Sequence, residues 1–473
     1  MQKFISKYGL AAHLALLAVA PLFLFPFFGP GTSGAVMLWL SMLGLAWLLL
    51  DPSRVPGEMP YMARLRVGWA ILKDPLFWFL VVIVSFSAIR WMNGPVAVKY
   101  DAEETRWFIA PPSVPWLPGG VKDAGYSSFV GSVALTIVVM GAKHALGRSA
   151  RLAFVFAGAL FAGLAAMASM FAVFFEVEPA ASAARCGVFS GSYCGAAYGV
   201  WFVGGVVALA GSLERKWNKG LLAFAFAAGA SATGLLMFAP PYAFVGFCIA
   251  GIAAFLASLT FLGMFQGGAD VLKYMAGLII AAVVPVLVST YVLPGDVVQL
   301  RMSFFSGGDL FPAQFFELRA RLSEIAASVW RSSVWLGHGL GSFPLEARFA
   351  ATPQDWALWT GQTPCGPLNG FWHLLAERGV AGAILVGVPL LYMTVTFVMR
   401  LVASIGRLSF FPLCAFGVVA VLAVAAEAFF DGSFLRTETL LAAASAYAVA
   451  ASSFQKNSKP GKGSPAASEN NNG

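Results

Sequence analysis

Three polar side chains are spaced for acid–base chemistry on one helical face. Asn369, His373 and Glu377 follow one another at intervals of four residues, so a helix that begins near Pro367 would carry them in one polar stripe. A neutral histidine in such a stripe accepts a proton from a hydroxyl group while a neighbouring carboxylate orients its ring. The alternative is a structural stripe, in which His373 and Glu377 satisfy main-chain groups at a membrane surface.

His338 is a second candidate base, although its surroundings indicate a turn. It lies in the glycine-rich run 337–341. This run follows no strand of a βαβ unit, so it predicts a turn and not a nucleotide-binding loop. The spacing of histidine and cysteine indicates neither zinc nor an iron–sulfur cluster, so the sequence predicts no metal and no other cofactor. Cys186 and Cys194 lie eight residues apart, and both a disulfide and free thiols stay open.

The segment 294–379 holds arginines but no lysine, which favours specific anion contacts. The arginine guanidinium can donate two parallel hydrogen bonds to phosphate oxygens, and lysine lacks this bidentate geometry. Arg319 and Arg321 are the leading candidates, and Arg185, in another segment, is a third. The alternative is contact with lipid headgroups or with nearby carboxylates. The arginines of the segment are Arg301, Arg319, Arg321, Arg331, Arg348 and Arg378, and the carboxylates considered are Glu317, Glu324, Glu346 and Asp355.

The elements that position these residues must cross a membrane. The 473 residues are 59% hydrophobic and only 11% charged, with a mean hydropathy of +0.78, whereas a soluble domain is about a quarter charged. This composition excludes a disordered chain, a coiled coil, a disulfide-rich secreted scaffold and a soluble nucleic-acid binder. Apolar runs of roughly 20 residues, the length that a helix needs to cross a bilayer, recur along the chain. The sequence predicts an all-α polytopic membrane protein whose spans cover 10–29, 33–50, 75–92, 126–142, 152–175, 196–212, 220–238, 241–263, 274–292, 380–399, 408–428 and 433–452.

The distribution of basic residues predicts the orientation. If the N-terminus is cytoplasmic, the inner segments hold 18 of the 30 lysines and arginines, and both termini lie inside. The chain then divides into a bundle of nine spans at 1–292, a large outer loop at 293–379, three further spans at 380–452 and a polar, disordered tail at 453–473. Within the loop, the apolar spacing from Glu317 to Trp335 predicts an amphipathic helix on the membrane surface.

Two stretches of the loop form a recognisable pattern. The first begins with Arg319 and Arg321, continues through a helical segment and ends in the run 337–343, GHGLGSF. The second is 368–382, LNGFWHLLAERGVAG, which leads into the tenth predicted span. Together they resemble the O-antigen ligase/polymerase family, in which an arginine-led amphipathic helix precedes a G-x-G-x-G-x-F turn and an H-N-x-aromatic-L-x-x-L-A-E-x-G segment. The resemblance covers about 65 residues, and the twelve spans with one large outer loop agree with it.

This resemblance implies a function in lipopolysaccharide or other surface-polysaccharide biosynthesis at the bacterial inner membrane. Members of the family transfer a glycan from undecaprenyl pyrophosphate, on the periplasmic face and without a metal, to lipid A-core sugar, to another repeat unit or to a protein hydroxyl. Arginines hold the pyrophosphate, a role that would fall here to Arg319, Arg321 and Arg185. A histidine beside the asparagine helps to activate the acceptor.

The chain departs from the family pattern at that histidine. Leu368 stands in its place before Asn369, and His373 is the nearest histidine. A second departure is the Pro240-Pro241 pair, where many relatives place Ser-Arg-Gly. The four-residue spacing therefore offers His373, with Asn369 and Glu377, as a substitute for the missing histidine, and His338 stays the second candidate.

Two other classes of function stay open. A transporter or a flippase for lipid-linked oligosaccharides also commonly has twelve spans, but it should show two related halves and charges at the membrane midplane. The sequence shows no clear half-repeat, and charges avoid the predicted spans. A catalytically inactive family member that serves as an assembly subunit is the third hypothesis, since Leu368 replaces the family histidine.

Overall fold

The protein is described here from a computed structural model. The structure describes residues 2–24, 27–28, 30–50, 59–93, 97–101, 106–110, 113–114, 116–117, 119–175, 194–214, 221–261, 291, 311, 315–358, 367–404, 411–430 and 436–453. Span nine of the sequence prediction, 274–292, lies outside these residues except for Tyr291, and so do Arg185 and Cys186.

Helices make up nearly all of the described chain. They are α1 (Gln2–Leu24), α2 (Pro30–Leu50), α3 (Pro60–Leu72), α4 (Pro75–Met92), α5 (Lys122–Met140), α6 (Arg148–Phe174), α7 (Cys194–Glu214), α8 (Leu221–Phe238), α9 (Pro241–Phe261), α10 (Phe315–Ser332), α11 (Phe343–Ala350), α12 (Pro353–Leu358), α13 (Gly370–Ser404), α14 (Phe411–Ala428) and α15 (Thr437–Ser453). A π-helical turn, Gly141–Ala145, extends α5. One antiparallel hairpin, β1 (Ala97–Asp101) and β2 (Arg106–Ala110), departs from the predicted all-α fold.

Several helices are long and apolar enough to cross a membrane. Within the described residues there are five such segments, and further apolar helices are shorter. The helical class is therefore confirmed, and these helices indicate a multi-pass membrane protein. The count of twelve spans stays a prediction. The long segments are Gly31–Leu50, Pro75–Met92, Asp123–Ala145, Ser149–Ala172 and Gly370–Met399.

The main apolar core lies where α1 and α5–α9 meet α14 and α15. Small side chains dominate the contacts: Ala11, Ala15 and Ala18 of α1 are at most 1% exposed. Small residues let helix backbones approach closely, which is the usual source of packing energy between helices in lipid. The α13 helix is different, because most side chains in its second half are exposed or only half-buried.

Charges do enter the predicted spans, contrary to the sequence analysis. Arg90 of α4 is 1% exposed, Glu427 of α14 is 5% exposed and Glu438 of α15 is 8% exposed. At the other end of α4, the Asp74 carboxylate accepts hydrogen bonds from Lys143 (2.5 Å) and His144 (2.7 Å). Burial raises the pKa of Asp74, but these two partners outweigh it and lower the pKa to about 2. Arg90, Glu427 and Glu438 lie inside the predicted spans in the sequence itself, so the statement that charges avoid the spans was wrong. The pairing of Asp74 was missed because its partners lie 69 and 70 residues away.

A second, smaller apolar cluster lies beneath the predicted outer loop. The predicted amphipathic helix is confirmed as α10, whose apolar face buries Phe315, Leu322 and Ile325. This face packs against Phe343 and Leu368 of the same loop. The apolar stripe is therefore covered by protein within the described residues, and the cluster fixes α10 against the start of α13.

The predicted orientation can be tested with two reporter fusions. We expect alkaline phosphatase to be active, and thus exported, when it is fused after Leu345, and a fluorescent reporter at the C-terminus to be cytoplasmic. The reason is the excess of basic residues, 18 of 30, in the predicted inner segments. Two fusions on the same side of the membrane would overturn the topology.

Candidate functional site

The two stretches that carry the family resemblance interlock through their main chains. The His338 NH donates to the Ala376 carbonyl (3.0 Å) and the Gly339 NH donates to the Glu377 carbonyl (2.9 Å). In return, the Val380 and Ala381 NH groups donate to carbonyls 334 and 335 at 3.0 and 2.9 Å. The glycine-rich run is therefore a turn, as predicted, that is hydrogen-bonded to the first part of α13.

Two glycines make this close approach possible. Gly337 and Gly379 both have positive φ angles, 66° and 63°. A Cβ on Gly337 would lie 2.5 Å from the Glu377 carbonyl carbon, and a Cβ on Gly379 would lie 2.5 Å from the Gly337 nitrogen. Any side chain at either position would therefore separate the segments. The φ and ψ angles of Gly379, 63° and −169°, are not helical, so α13 consists of two helical stretches that meet at the predicted boundary between loop and span, 379/380.

The predicted polar stripe forms at the start of α13. Asn369 caps the helix, since its side-chain oxygen accepts from the Phe371 NH at 3.1 Å. His373 and Glu377 pair one turn apart, with Nε2 of the histidine 3.2 Å from Oε1 of the carboxylate. The histidine and the carboxylate thus act as a pair, while the asparagine shapes the helix start.

Among the described residues, one nitrogen of the buried His373 ring has no partner. The residue is 4% exposed, and its Nδ1 atom has no hydrogen-bond partner among the described residues. If Nε2 carries the proton that it shares with Glu377, Nδ1 holds a lone pair. This arrangement, a histidine oriented by a carboxylate through one nitrogen and basic at the other, is suited to taking a proton from a hydroxyl group.

A cavity of about 510 Å³ adjoins this pair. It lies between α4, α5, the glycine turn and the starts of α13 and α15, and two arginines, Arg378 and Arg436, are part of its wall. Nε of Arg378 is buried without a partner in the described part of the chain. The polar side chains of its wall are Ser87, Asp123, Ser127, Ser128, Ser132, His373, Glu377, Arg378, Arg436, Thr437 and Glu438. Hydroxyls, a base, three carboxylates and two guanidinium groups therefore share one space.

Arg90 is a site residue that sequence reasoning missed. It reaches from α4 to donate from Nη1 to the Glu377 carbonyl (3.2 Å) and from Nη2 to the Leu336 carbonyl (2.5 Å). Its guanidinium also lies over the ring of Phe86, 4.6 Å from the centroid. The available signal was an arginine near the end of an apolar helix, which in membrane segments often marks a functional group. Arg378 was among the loop arginines considered for anion contacts but was not singled out, and Arg436 was missed, because nothing local indicates that the two meet at a cavity.

The predicted anion-binding arginines lie elsewhere. Arg319 donates from Nε to the Leu368 carbonyl (3.1 Å) and from Nη2 to the Phe429 carbonyl (2.5 Å). Arg321 pairs with Asp355 and Glu324, at 2.5 and 2.6 Å. Neither arginine is among the residues that line the cavity. In this structure both guanidinium groups hold the loop together, and Arg185 lies outside the described residues.

His338 is also engaged on both sides of its ring. Its Nδ1 lies 2.9 Å from Oε1 of Glu346, and its Nε2 lies 2.7 Å from the Ser332 hydroxyl and 3.0 Å from the Val329 carbonyl. The hydrogen bond with Glu346 raises the pKa of His338. The ring joins α10 to α11 and is not part of the cavity wall.

Leu368 occupies an unusual position. Its φ of 48° is rare for a residue with a bulky side chain, and the side chain is only 6% exposed. It belongs to the apolar cluster under α10, and its carbonyl accepts the hydrogen bond from Arg319. A histidine here would place a polar ring in that cluster, so we now expect Leu368→His to destabilise the loop.

Asp355 predicts a pH dependence of stability. Its side chain is 1% exposed, and the hydrogen bond from Arg321 lowers its pKa to about 2. A carboxyl group with a lowered folded-state pKa stabilises the fold above its unfolded pKa of about 3.9, and this contribution is lost as the pH falls towards 2. We expect Asp355→Asn to lower the melting temperature of the detergent-purified protein at about pH 7, and the difference from the parent to shrink below about pH 4. A difference that stays the same down to about pH 2 would contradict this account.

No protein-family model matches this chain, and no curated protein is significantly similar to it. The fold and the site define a multi-pass helical membrane protein with a buried histidine–carboxylate pair beside an arginine-lined cavity. In the described part of the chain, no group of three or more histidine, cysteine or acidic side chains is arranged to hold a metal ion.

Proposed function

We propose that this protein transfers a glycan from undecaprenyl pyrophosphate to an acceptor hydroxyl, as O-antigen ligases and surface-polysaccharide polymerases do. The observation that carries the proposal is the buried His373–Glu377 pair, with Nδ1 of His373 unpartnered among the described residues, in the wall of a cavity that also holds two arginines. The interlocked segments around this pair are the same two that resemble the family. In this proposal the chain spans the bacterial inner membrane twelve times, with both termini in the cytoplasm, and the cavity serves the periplasmic face.

The proposed reaction is a single displacement at the anomeric carbon of the donor sugar. Nδ1 of His373 takes the proton of the acceptor hydroxyl, and Glu377 stabilises the imidazolium that forms. The acceptor oxygen bonds to the anomeric carbon as the bond from that carbon to the pyrophosphate oxygen breaks. The electron pair leaves with the pyrophosphate, whose charge Arg378 and Arg436 stabilise. This assignment moves the donor contact from Arg319 and Arg321 to the arginines of the cavity.

The proposal is tested in a strain that lacks the gene. Loss of attached glycan with accumulation of long lipid-linked chains indicates a ligase, whereas accumulation of single repeats indicates a polymerase. The parent and Arg331→Gln should restore the profile, because Arg331 is exposed and lies outside the cavity. His373→Gln should not restore it. An unchanged glycan profile in the deletion strain would refute the proposal.

A transporter or flippase is the second candidate. Arg90 and Glu438, both buried in apolar helices beside a cavity, favour it, because intramembrane charges commonly mark a translocation path. Loss of a flippase would leave the lipid-linked donor on the cytoplasmic side. A donor that reaches the outer face of the deletion strain but is not transferred would exclude this candidate. An inactive assembly subunit would instead be fully complemented by His373→Gln.

A further inference from the structure

The short helix α3 carries an exposed apolar face between two candidate membrane spans. With 13 residues it is too short to cross a bilayer, and it lies between α2 and α4. The exposed residues fall within about 100° of the helix circumference at 100° per residue. They are Tyr61, Met62, Leu65, Trp69 and Leu72, each between 47% and 66% exposed. Ala63 and Val67, on the other side, are buried against the protein.

Basic side chains flank this apolar face on both sides. Arg64 lies on one edge, and Arg66 and Lys73 lie on the other, and all three are exposed. The helix itself contains no acidic residue. The carboxylate that follows the helix in the described residues, Asp74, is 7% exposed and turned inward to Lys143 and His144.

A groove continues from the end of the helix. It is an open depression of about 400 Å³, lined by Leu72, Lys73, Pro75, Trp78, Phe79 and Val82. The Lys73 ammonium lies 5.0 Å from the centroid of the Trp69 ring. The indole of Trp78 donates to the Leu72 carbonyl at 3.0 Å. An apolar groove that ends at a cation matches the two parts of a phospholipid, its acyl chain and its anionic headgroup.

We propose that α3 lies in the membrane interface and binds anionic phospholipid. An exposed apolar arc flanked by cations is the chemistry of interfacial helices, which bury the arc among acyl chains and hold negative headgroups with the flanks. The arc, the cations and the groove each point to the same occupant. The helix lies at the opposite end of α4 from Arg90, roughly 24 Å away at about 1.5 Å per residue, so this lipid site is separate from the cavity and does not rest on the proposed function.

The test measures lipid affinity on the full-length protein. Delipidated protein in detergent is titrated with phosphatidylglycerol and with phosphatidylcholine of the same acyl chains, and bound lipid is counted by native mass spectrometry. We expect phosphatidylglycerol to bind more tightly. Removing one surface cation weakens anionic-lipid binding about fivefold, so Arg66→Gln/Lys73→Gln should lose about 25-fold. Affinity for phosphatidylcholine should change little.

Matched variants distinguish the effect of losing positive charge on α3 from the effect of disturbing the fold. Arg66→Lys/Lys73→Arg keeps both charges and should bind phosphatidylglycerol as the parent does. Lys99→Gln/Arg331→Gln removes two exposed cations outside α3 and should also have no effect. Equal affinity for the two lipids, or equal loss in the charge-conserving and charge-removing variants, would overturn the proposal. Displacement of phosphatidylglycerol by glycerol phosphate would also overturn it, because the site would then recognise a free phosphate.

Discussion

Replacing His373 by alanine is expected to lower glycan transfer at least about a hundredfold. Loss of a general base typically costs about 10²–10⁴-fold in rate. His373 is the histidine of the cavity wall, and its ring is oriented by Glu377 at 3.2 Å. The measurement is transfer by purified protein from a synthetic lipid-linked donor, with the melting temperature of each variant recorded in parallel. Glu377→Gln should lower the rate by less, because the amide still holds the ring but does not stabilise its positive charge.

The control for this prediction is the other loop histidine. His338 has partners at both ring nitrogens and lies outside the cavity wall, so we expect His338→Ala to reduce stability more than the rate per folded molecule. Transfer at the parent rate by His373→Ala, with an inactive but folded His338→Ala, would show that the base is misassigned. An inactive parent with every lipid-linked donor tested would favour the assembly-subunit hypothesis.

Replacing Gly379 by alanine is expected to disrupt the site without touching any reacting group. Its φ of 63° is unfavourable for an L-residue, and the added Cβ would lie 2.5 Å from the Gly337 nitrogen and from the Trp335 carbonyl group. Together the strain and the overlap cost roughly 2–5 kcal/mol. The glycine turn would separate from α13, and the hydrogen bond from the Gly339 NH to the Glu377 carbonyl would be lost with it. Both the melting temperature and the transfer rate should fall.

Gly387, in the same helix, provides the matched control. A Cβ there would meet nothing within 4 Å. Gly387→Ala should therefore keep the rate and slightly raise the stability, since alanine favours a helix over glycine by about 1 kcal/mol. If Gly379→Ala and Gly387→Ala had the same melting temperature and transfer rate, the hydrogen-bonded contact between the glycine turn and α13 would not be what positions the His373–Glu377 pair.

Patterns of nearby residues predicted much of the loop correctly. The apolar period predicted the helix that became α10, the glycine run predicted a turn, and the four-residue spacing predicted the contact between His373 and Glu377. Each of these features depends on residues that are close together in the sequence, because local backbone geometry determines which of their side chains are in contact.

The assignment of the arginines required long-range information. Arg319 and Arg321 were favoured because they lead the first family-like stretch, yet they bind the Leu368 carbonyl and Asp355, 49 and 34 residues away. Arg90 meets the Glu377 carbonyl across 287 residues. No period or spacing in the sequence encodes such a pair, because it forms only when α4 packs beside the turn.

The sequence by itself determined that the chain is helical and that its long apolar segments indicate a multi-pass membrane protein, because hydrophobicity and periodicity are local properties of the chain. It also determined which side chains could serve as base and carboxylate. Only the tertiary structure decided that these two share a cavity with Arg378 and Arg436, that His338 and Arg321 hold the loop, and that α3 exposes an apolar face edged with cations. The physical reason is that burial and hydrogen bonding select partners across the whole chain, and the cost of an unpaired polar group in an apolar interior enforces that selection.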